Sequence, residues 1–406
     1  MKALLSSVAL TLLLAGVAPA QDSVNCRLVG SCGTPDYAYG VAVAGNYAYV
    51  AAGEAGLRVI SVADPAHPSE VGYYDTPGSA YGVAVAGNYA YVADHDAGLR
   101  VISVVDPSHP SEVGYSDTPD NVCVAVAGEY AYVGNKVPYV GAVLRVISVA
   151  DPAHPSEVGY YDTPGRAWGV AVAGNYAYVA DYDAGLRVIS VADPAHPSEV
   201  GYCGTPVDAY GVAVAGNYAY VSDQAAGLWV ISVSDPTHPS EVGYCVTPGS
   251  AYGVALAESY AYVADGPDGL RVTSVSDPAH PSEVGYYDTP GYAYGVAVAG
   301  DYAYVADGEA GLRVVQFYGG GIEESLKPQA ACPRPTPTVV RGVLFLSEAT
   351  GRKPQAASLL DAAGRKVLDL HPGENDVRAL APGVYFVREV QAQAQAQAIR
   401  RVVITK

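Results

Sequence analysis

Six histidines recur in one context: His67, His109, His154, His196, His238 and His280 each sit in a DPxHP motif. Imidazole is the commonest metal ligand among side chains, so a histidine at fixed spacing raises a metal site first. The spacing argues against it. A metal needs three or four ligands converging on one ion, and these histidines occupy one turn in successive copies of a repeat. The aspartate of the motif suits closing that turn, and the His-Pro pair suits setting the entry of the next strand.

A second set is acidic. The stretch after each YVA or YVS varies between copies, reading AGEA, DHDA, DYDA, DQAA, DGPD and DGEA. The stretch after each TP varies too, while the AGNY and DPAHPSE turns barely change. Variable loops on a rigid scaffold are where binding is usually placed. The candidates for a binding face are therefore Asp94, Asp96, Asp181, Asp183, Asp223, Asp265, Asp268 and Asp307, with Trp168 adding an aromatic. The same face is expected to hold Glu54, His95, Arg166, Tyr182 and Glu309. The third copy is the outlier: GNKVPYVGAV (Gly134–Val143) is four residues longer and brings Lys136 and Tyr139. The competing expectation for Asp94 and its equivalents is that they close their own turns. A cation-dependent, lactonase-like hydrolase would use Asp94, Asp181 and Asp265 as Ca²⁺ ligands at a channel mouth. Near-uniform copies weigh against an enzyme, because a catalytic site needs unlike residues at one point. No G-x-S-x-G, phosphate loop or HExxH occurs.

The elements that must position these residues are set by the repeat. An anchor position falls at Gly40, Gly82, Cys123, Gly169, Gly211, Gly253 and Gly295, in steps of 42, 41, 46, 42, 42 and 42. A period of this size marks a repeat architecture. Each copy holds four strand-like segments separated by turn chemistry, such as YGVAVAG, YAYVA, GLRVISV and EVGYSDTP in the second copy. Four short antiparallel strands per copy make the blade of a β-propeller, with the first strand at the channel and Tyr and Val of the middle strands between blades. The seventh copy stops at GLRVVQFYGG and lacks its last quarter, which reappears near the N-terminus as RLVGSCGTP (Arg27–Pro35). That split favours a ring closed by the N-terminal strand over an open solenoid of the same hairpins, and covers a strand edge that would otherwise be open.

The ends carry different information. Met1, Lys2, the apolar run Ala3–Ala15 and Ala18-Pro19-Ala20 read as a signal peptide over residues 1–20. No other segment approaches the ~20 apolar residues of a membrane helix, so no transmembrane helix is expected. The propeller spans 21–318. Residues 319–338 form a Gly/Pro-rich linker, and 339–406 carry new strand patterns that read as a small C-terminal β-sandwich, with QAQAQAQA (Gln391–Ala398) as an elongated hairpin loop. Charge divides with them. The tail from Val339 holds ten basic and six acidic residues, leaving 12 basic and 35 acidic for the remainder. So acidic a surface repels phosphate backbones and excludes nucleic acid as partner. Of six cysteines, Cys26 and Cys332 flank the repeats, and a closed ring brings its ends together, which makes Cys26–Cys332 the candidate disulfide.

The stretch GLRVISVADPAHPSEVGYYDTPG resembles the LVIVD repeat, and the resemblance runs from about Arg27 to Tyr318. It implies a propeller of an exported, surface-located protein and no settled activity. The tail resembles the sorting domain of the type IX secretion system, through LLDAAGRKV (Leu359–Val367), LAPGVYFV (Leu380–Val387) and RRVVITK (Arg400–Lys406). The QAQA insertion departs from that pattern. This resemblance implies engagement of the type IX machinery through 339–406 and placement outside the cell or on the outer surface of a Gram-negative-type bacterium. The expectation is an all-β protein: a seven-bladed propeller and a small β-sandwich. It acts as a non-enzymatic contact module for a surface protein or glycan, with no cofactor beyond a weak case for Ca²⁺. A purely structural surface component is the remaining alternative.

Overall fold

The computed structural model describes residues 23–135 and 142–319, and short strands between 338 and 404. Lys136, Tyr139, Cys332, the N-terminal apolar run and most of the linker lie outside the described residues. The Cys26–Cys332 pairing therefore lies outside them as well. The chain divides into two compact units, Met1–Glu323 and Glu324–Lys406.

The first unit is a seven-bladed β-propeller, without helices among the described residues. Blade 1 comprises Gly40–Ala44, Tyr47–Ala51, Leu57–Ser61 and Ser69–Tyr74, each antiparallel to its neighbour in chain order. Blades 2 to 6 repeat the meander over 82–116, 121–163, 169–203, 209–245 and 253–287. Blade 7 takes Gly295–Ala299, Tyr302–Ala306 and Leu312–Phe317 from the last copy. Its fourth strand is Cys26–Cys32, antiparallel to Leu312–Phe317, and Ser23–Val24 adds a fifth strand to blade 6.

Sequence explains each layer. The first strands carry only Gly, Ala, Val and a single Leu or Cys at their centre, because they converge on the axis. A Cβ on Gly40 would stand 2.7 Å from the Tyr81 carbonyl, and one on Gly295 would stand 2.7 Å from that of Tyr39. The seventh inner strand thus lies against the first. Blade 3 breaks the rule with Cys123 and compensates across the strand pair, where Gly134 replaces the usual Ala. The middle strands supply the core. An apolar cluster fills each junction, for example Tyr49, Leu57 and Val59 of blade 1 against Ala90, Val92 and Ile102 of blade 2. The junction of blades 7 and 1 has the same content, with Tyr304, Leu312 and Val314 against Ala48, Val50 and Ile60. One blade alone cannot bury these side chains, so stacking stabilises the array.

The fourth strands explain both the bulge and the DPxHP turn. Each shifts register by one residue just before its glycine, as between Glu70 and Gly72. The Pro107 carbonyl of the next blade's DPxHP turn sits where a Cβ on Gly72 would be, 2.3 Å away. The same seating recurs from Gly114 to Pro152 through Gly243 to Pro278. Cys26–Cys32 carries the identical bulge between Leu28 and Gly30, and Gly30 receives the Pro65 carbonyl of blade 1. The unfinished copy has no DPxHP turn, and there Gly285 faces Phe317 and the Val24 carbonyl instead.

The second unit holds a five-stranded sheet ordered Thr338–Val340, Gln397–Ile404, Gly383–Val390, Ala356–Leu360, Lys366–Leu370. A two-stranded sheet pairs Val343–Leu346 with Gly373–Asp376. Gly383–Val390 and Gln397–Ile404 are antiparallel, with Val390 opposite Gln397.

Candidate binding face

The six DPxHP turns behave as closed turns. In blade 1 Asp64 Oδ1 accepts the Ala66 amide at 3.1 Å, and Asp64 Oδ2 lies 2.8 Å from His67 Nδ1. The other five motifs repeat this pairing at 2.9–3.0 Å. The imidazole of His67 is 83% exposed and paired within its own turn, one such turn per blade. Hydrogen bonds from His67 and the Ala66 amide hold the Asp64 carboxyl below its usual range, and Asp106 and Asp235, with an added hydroxyl donor, fall to about 2.

The acidic candidates divide in two. Asp94, Asp181, Asp223, Asp265 and Asp307 are fully buried, which corrects their placement as carboxylates offered to a partner. Each staples the segment entering its blade. Asp265 Oδ1 accepts the Thr247 hydroxyl at 2.5 Å and Oδ2 accepts the Gly249 amide at 2.8 Å. Asp94 binds Thr76 and Gly78 identically, and Asp223 binds Thr205 and the Val207 amide. In blade 4 Asp181 keeps the Gly165 amide at 2.8 Å, while its Oδ1 has no hydrogen-bond partner. Burial pushes all five carboxyls up, against the hydroxyl and amide donors that lower them; Asp181 and Asp265 reach about 6. The same burial bears on the Ca²⁺ reading of Asp94, Asp181 and Asp265. The oxygens of Asp94 and Asp265 serve protein donors, and the three carboxyls sit in three different blades.

The second acidic residue of each loop is outside. Asp96 has an 81% exposed side chain, Asp183 is exposed, and Asp268 is half-buried beside Arg271 at 3.5 Å. His95, Asp96 and Asp120 come together, with ligand-capable atoms within 4.8 Å of one another. This grouping joins the loop of blade 2 to the segment entering blade 3, and no motif in the sequence announces it.

Sequence reasoning missed the ring behind those loops. The residue before each anchor position is Tyr39, Tyr81, Val122, Trp168, Tyr210, Tyr252 or Tyr294. Six are aromatic, and neighbouring rings meet around the axis: Tyr39–Tyr81 stacked at 4.7 Å, Tyr39–Tyr294 tilted at 5.1 Å, Tyr252–Tyr294 tilted at 5.6 Å, Tyr210–Tyr252 edge-on at 4.8 Å and Trp168–Tyr210 tilted at 5.3 Å. Only Val122 interrupts the collar. The AYG of five copies, with AWG in the fourth, is the sequence feature that could have revealed it. Trp168 is the one collar member among the expected binding-face residues. Burial, with other phenols nearby, pushes Tyr39 and Tyr210 up to about 12, so these two rings are neutral at physiological pH.

The variable loops rest on this collar. His95 lies 5.3 Å from the Tyr81 ring, Tyr182 lies 5.6 Å from Tyr210, and Tyr292 lies 4.9 Å from Tyr294. Arg166 stacks on Tyr182 at 5.0 Å. The residue after each staple position bridges to the next blade's entering segment, as in Gly53–Ala80, His95–Asn121, Tyr182–Ala209 and Gln224–Ala251. Both variable stretches of the repeat are therefore hydrogen-bonded to each other on one face.

The fold and this face define a seven-bladed propeller whose chain-internal variation gathers around an aromatic collar. The chain belongs to the LVIVD repeat family. The family model matches residues 35–76, 77–118, 122–163, 164–205, 207–247, 248–289 and 290–316, one match per blade. No curated protein matches the sequence. Among solved structures, the computationally designed Ika8 protein is similar with a TM-score of 0.53 and 9% identity, over 71% of this chain and 99% of that one. The WD40 propeller domain of Doa1 gives 0.57 and 12%, over 72% and 97%. A chain of the mitotic checkpoint complex gives 0.59 and 12%, over 77% and 100%. At such identities the likeness concerns the fold alone.

Proposed function

We propose that the protein is an exported, non-enzymatic contact module that engages a surface protein or glycan through the face carrying the collar and the variable loops. One observation carries this reading: the two stretches in which the copies differ are joined to each other over a collar of six aromatic rings in mutual contact. Aromatic residues are the usual anchors of recognition surfaces, because they bury large area at low entropic cost. Exposed Asp96 and Asp183 add charge that varies from blade to blade.

In this reading Cys26–Cys32 is the clasp of the ring, since it supplies the strand, bulge and glycine that the seventh copy lacks. The tail, with its resemblance to a type IX sorting domain and an expected β-sandwich form, serves delivery to the cell surface. The five-stranded sheet with Gly383–Val390 at its centre is compatible with that role.

The test is a glycan and surface-protein array probed with the full chain, its Trp168→Ala form and its Asp96→Asn/Asp183→Asn form. Binding to a defined target that either change weakens at least tenfold supports the reading. Robust turnover of a small substrate with no array binding overturns it.

A further inference from the structure

Blade 1 departs from its siblings at one place. Its loop has Ala52 where blades 2, 4, 5, 6 and 7 have the buried aspartate. The carboxylate has moved to the entering segment: Asp36 Oδ2 accepts the Glu54 amide at 2.8 Å, reversing the staple. Thr34 turns to the Asp36 carbonyl at 2.7 Å.

A vacancy of side chains accompanies the reversal. At each loop, the residue after the staple position faces the residue before the bridging alanine of the next blade's entering segment, or its equivalent. The pairs are His95 with Asp120 in blade 2, Tyr182 with Asp208 in blade 4 and Gln224 with Ser250 in blade 5. They continue with Gly266 and Tyr292 in blade 6 and Gly308 and Tyr37 in blade 7. Blade 1 has the smallest pair, Gly53 and Ser79. Gly53 has φ of 53°, and any Cβ there would stand 2.5 Å from Asp36 Oδ2. The result is a cavity of about 620 Å³, walled by Asp36 and Glu54 and by the stacked collar rings of Tyr39 and Tyr81. Its lining has two carboxylates, two phenols and no basic residue.

We propose that this cavity binds an organic cation, an ammonium or guanidinium head seated against Tyr39 and Tyr81 and neutralised by Asp36 and Glu54. Aromatic faces carry negative quadrupole density, and a cation within about 6 Å of a ring centroid is attracted to it. Carboxylates beside the rings add Coulomb attraction of the same sign. An anion meets both as repulsion, and a neutral apolar group gains only from the rings. The same face already holds one guanidinium on an aromatic ring, Arg166 on Tyr182. The cation is either a free quaternary ammonium or a basic side chain of a partner protein. The inference deepens the contact-module reading and rests on it only for the face used.

The experiment titrates the full chain with tetramethylammonium, N-acetyl-lysine amide, N-acetyl-arginine amide and neutral tert-butanol, read by calorimetry and tyrosine fluorescence. At least one cation is expected to bind about tenfold or more tightly than tert-butanol, in line with cation–π and Coulomb terms acting together. Preference for tetramethylammonium identifies a free ammonium, and preference for the amides identifies a partner's side chain. Two variants locate the site. Asp36→Asn with Glu54→Gln keeps the shape and should remove the cation preference. Asp36→Gly, Ala52→Asp and Gly53→His together give blade 1 the residues of blade 2, Gly78, Asp94 and His95, and should abolish binding. Cations that bind no better than tert-butanol, or binding unchanged in both variants, would overturn the proposal. Absence of cation binding by the unsubstituted chain, with array binding intact, sinks this inference alone, because Trp168, Asp96 and Asp183 do not line the cavity.

Discussion

Asp265→Ala tests the staple against the linkage it implies. The carboxylate holds Thr247 and the Gly249 amide, and Arg271 Nε lies 3.8 Å away. Removing it orphans two buried donors, a loss of about 1–3 kcal/mol each. Removing it also deletes a buried charge. Burial raises the folded carboxyl from 3.8 to about 6. A group with a raised folded pKa contributes stability that is full below the unfolded value and is lost as pH rises through the folded one. At pH 7 ionisation therefore works against the folded wild type by about 3 kcal/mol, and at pH 5 by about half as much. The two effects largely offset at neutral pH, so the variant is expected to be about 1 kcal/mol less stable there. At pH 5 the wild type recovers about 1 kcal/mol that the variant cannot, and the gap widens to about 2 kcal/mol. Urea denaturation of both proteins at pH 5, 6 and 7 reads this difference directly, and the comparison cancels every other titrating group. Asp265→Asn should lose the slope, with its Oδ1 accepting the Gly249 amide and its Nδ2 donating to the Thr247 hydroxyl oxygen; blade 3 carries Asn135 at this position already. A gap that narrows toward pH 5 refutes the argument.

Gly243→Ala places a Cβ 2.5 Å from the Pro278 carbonyl and forces blades 5 and 6 apart. The expected cost is about 2–3 kcal/mol, with faster amide exchange at that junction as the specific readout. His196→Ala removes an exposed imidazole paired only within its turn. Stability should change by less than about 0.5 kcal/mol, with no change in bound metal by elemental analysis. A shift beyond 2 kcal/mol would give the DPxHP histidines a role that the turn does not explain.

The ring was legible because a propeller writes its geometry once per blade. The period located the blades, the turn residues separated the strands, and the missing quarter of the seventh copy pointed to Arg27–Pro35, which overlaps Cys26–Cys32, the strand that pairs with Leu312–Phe317. The DPxHP histidines could be set aside on symmetry alone. The staple could not be read so well. An aspartate after YVA looks the same whether it faces water or a threonine 18 residues earlier, and only the curl of the entering segment over the loop decides it. The collar was hidden differently. Tyr39 and Tyr81 are 42 residues apart in sequence, and their 4.7 Å stacking exists only because the anchor glycines let adjacent inner strands close up.

Uniform copies direct attention to what is added, such as the longer loop of blade 3. The cavity of blade 1 arises from what is taken away. Ala52 replaces an aspartate, Gly53 stands where His95, Tyr182 and Gln224 stand elsewhere, and Ser79 stands where Tyr292 stands. Each change is a small residue within a repeat rich in small residues, so none is conspicuous singly. Their coincidence at one junction has a physical consequence, because a loop and the next entering segment meet through a single bridge. Filling either partner closes the space, and blades 2, 6 and 7 each do so from one side or the other. The space at this one junction thus comes from small residues in place of larger ones, while the six remaining junctions keep their apolar clusters.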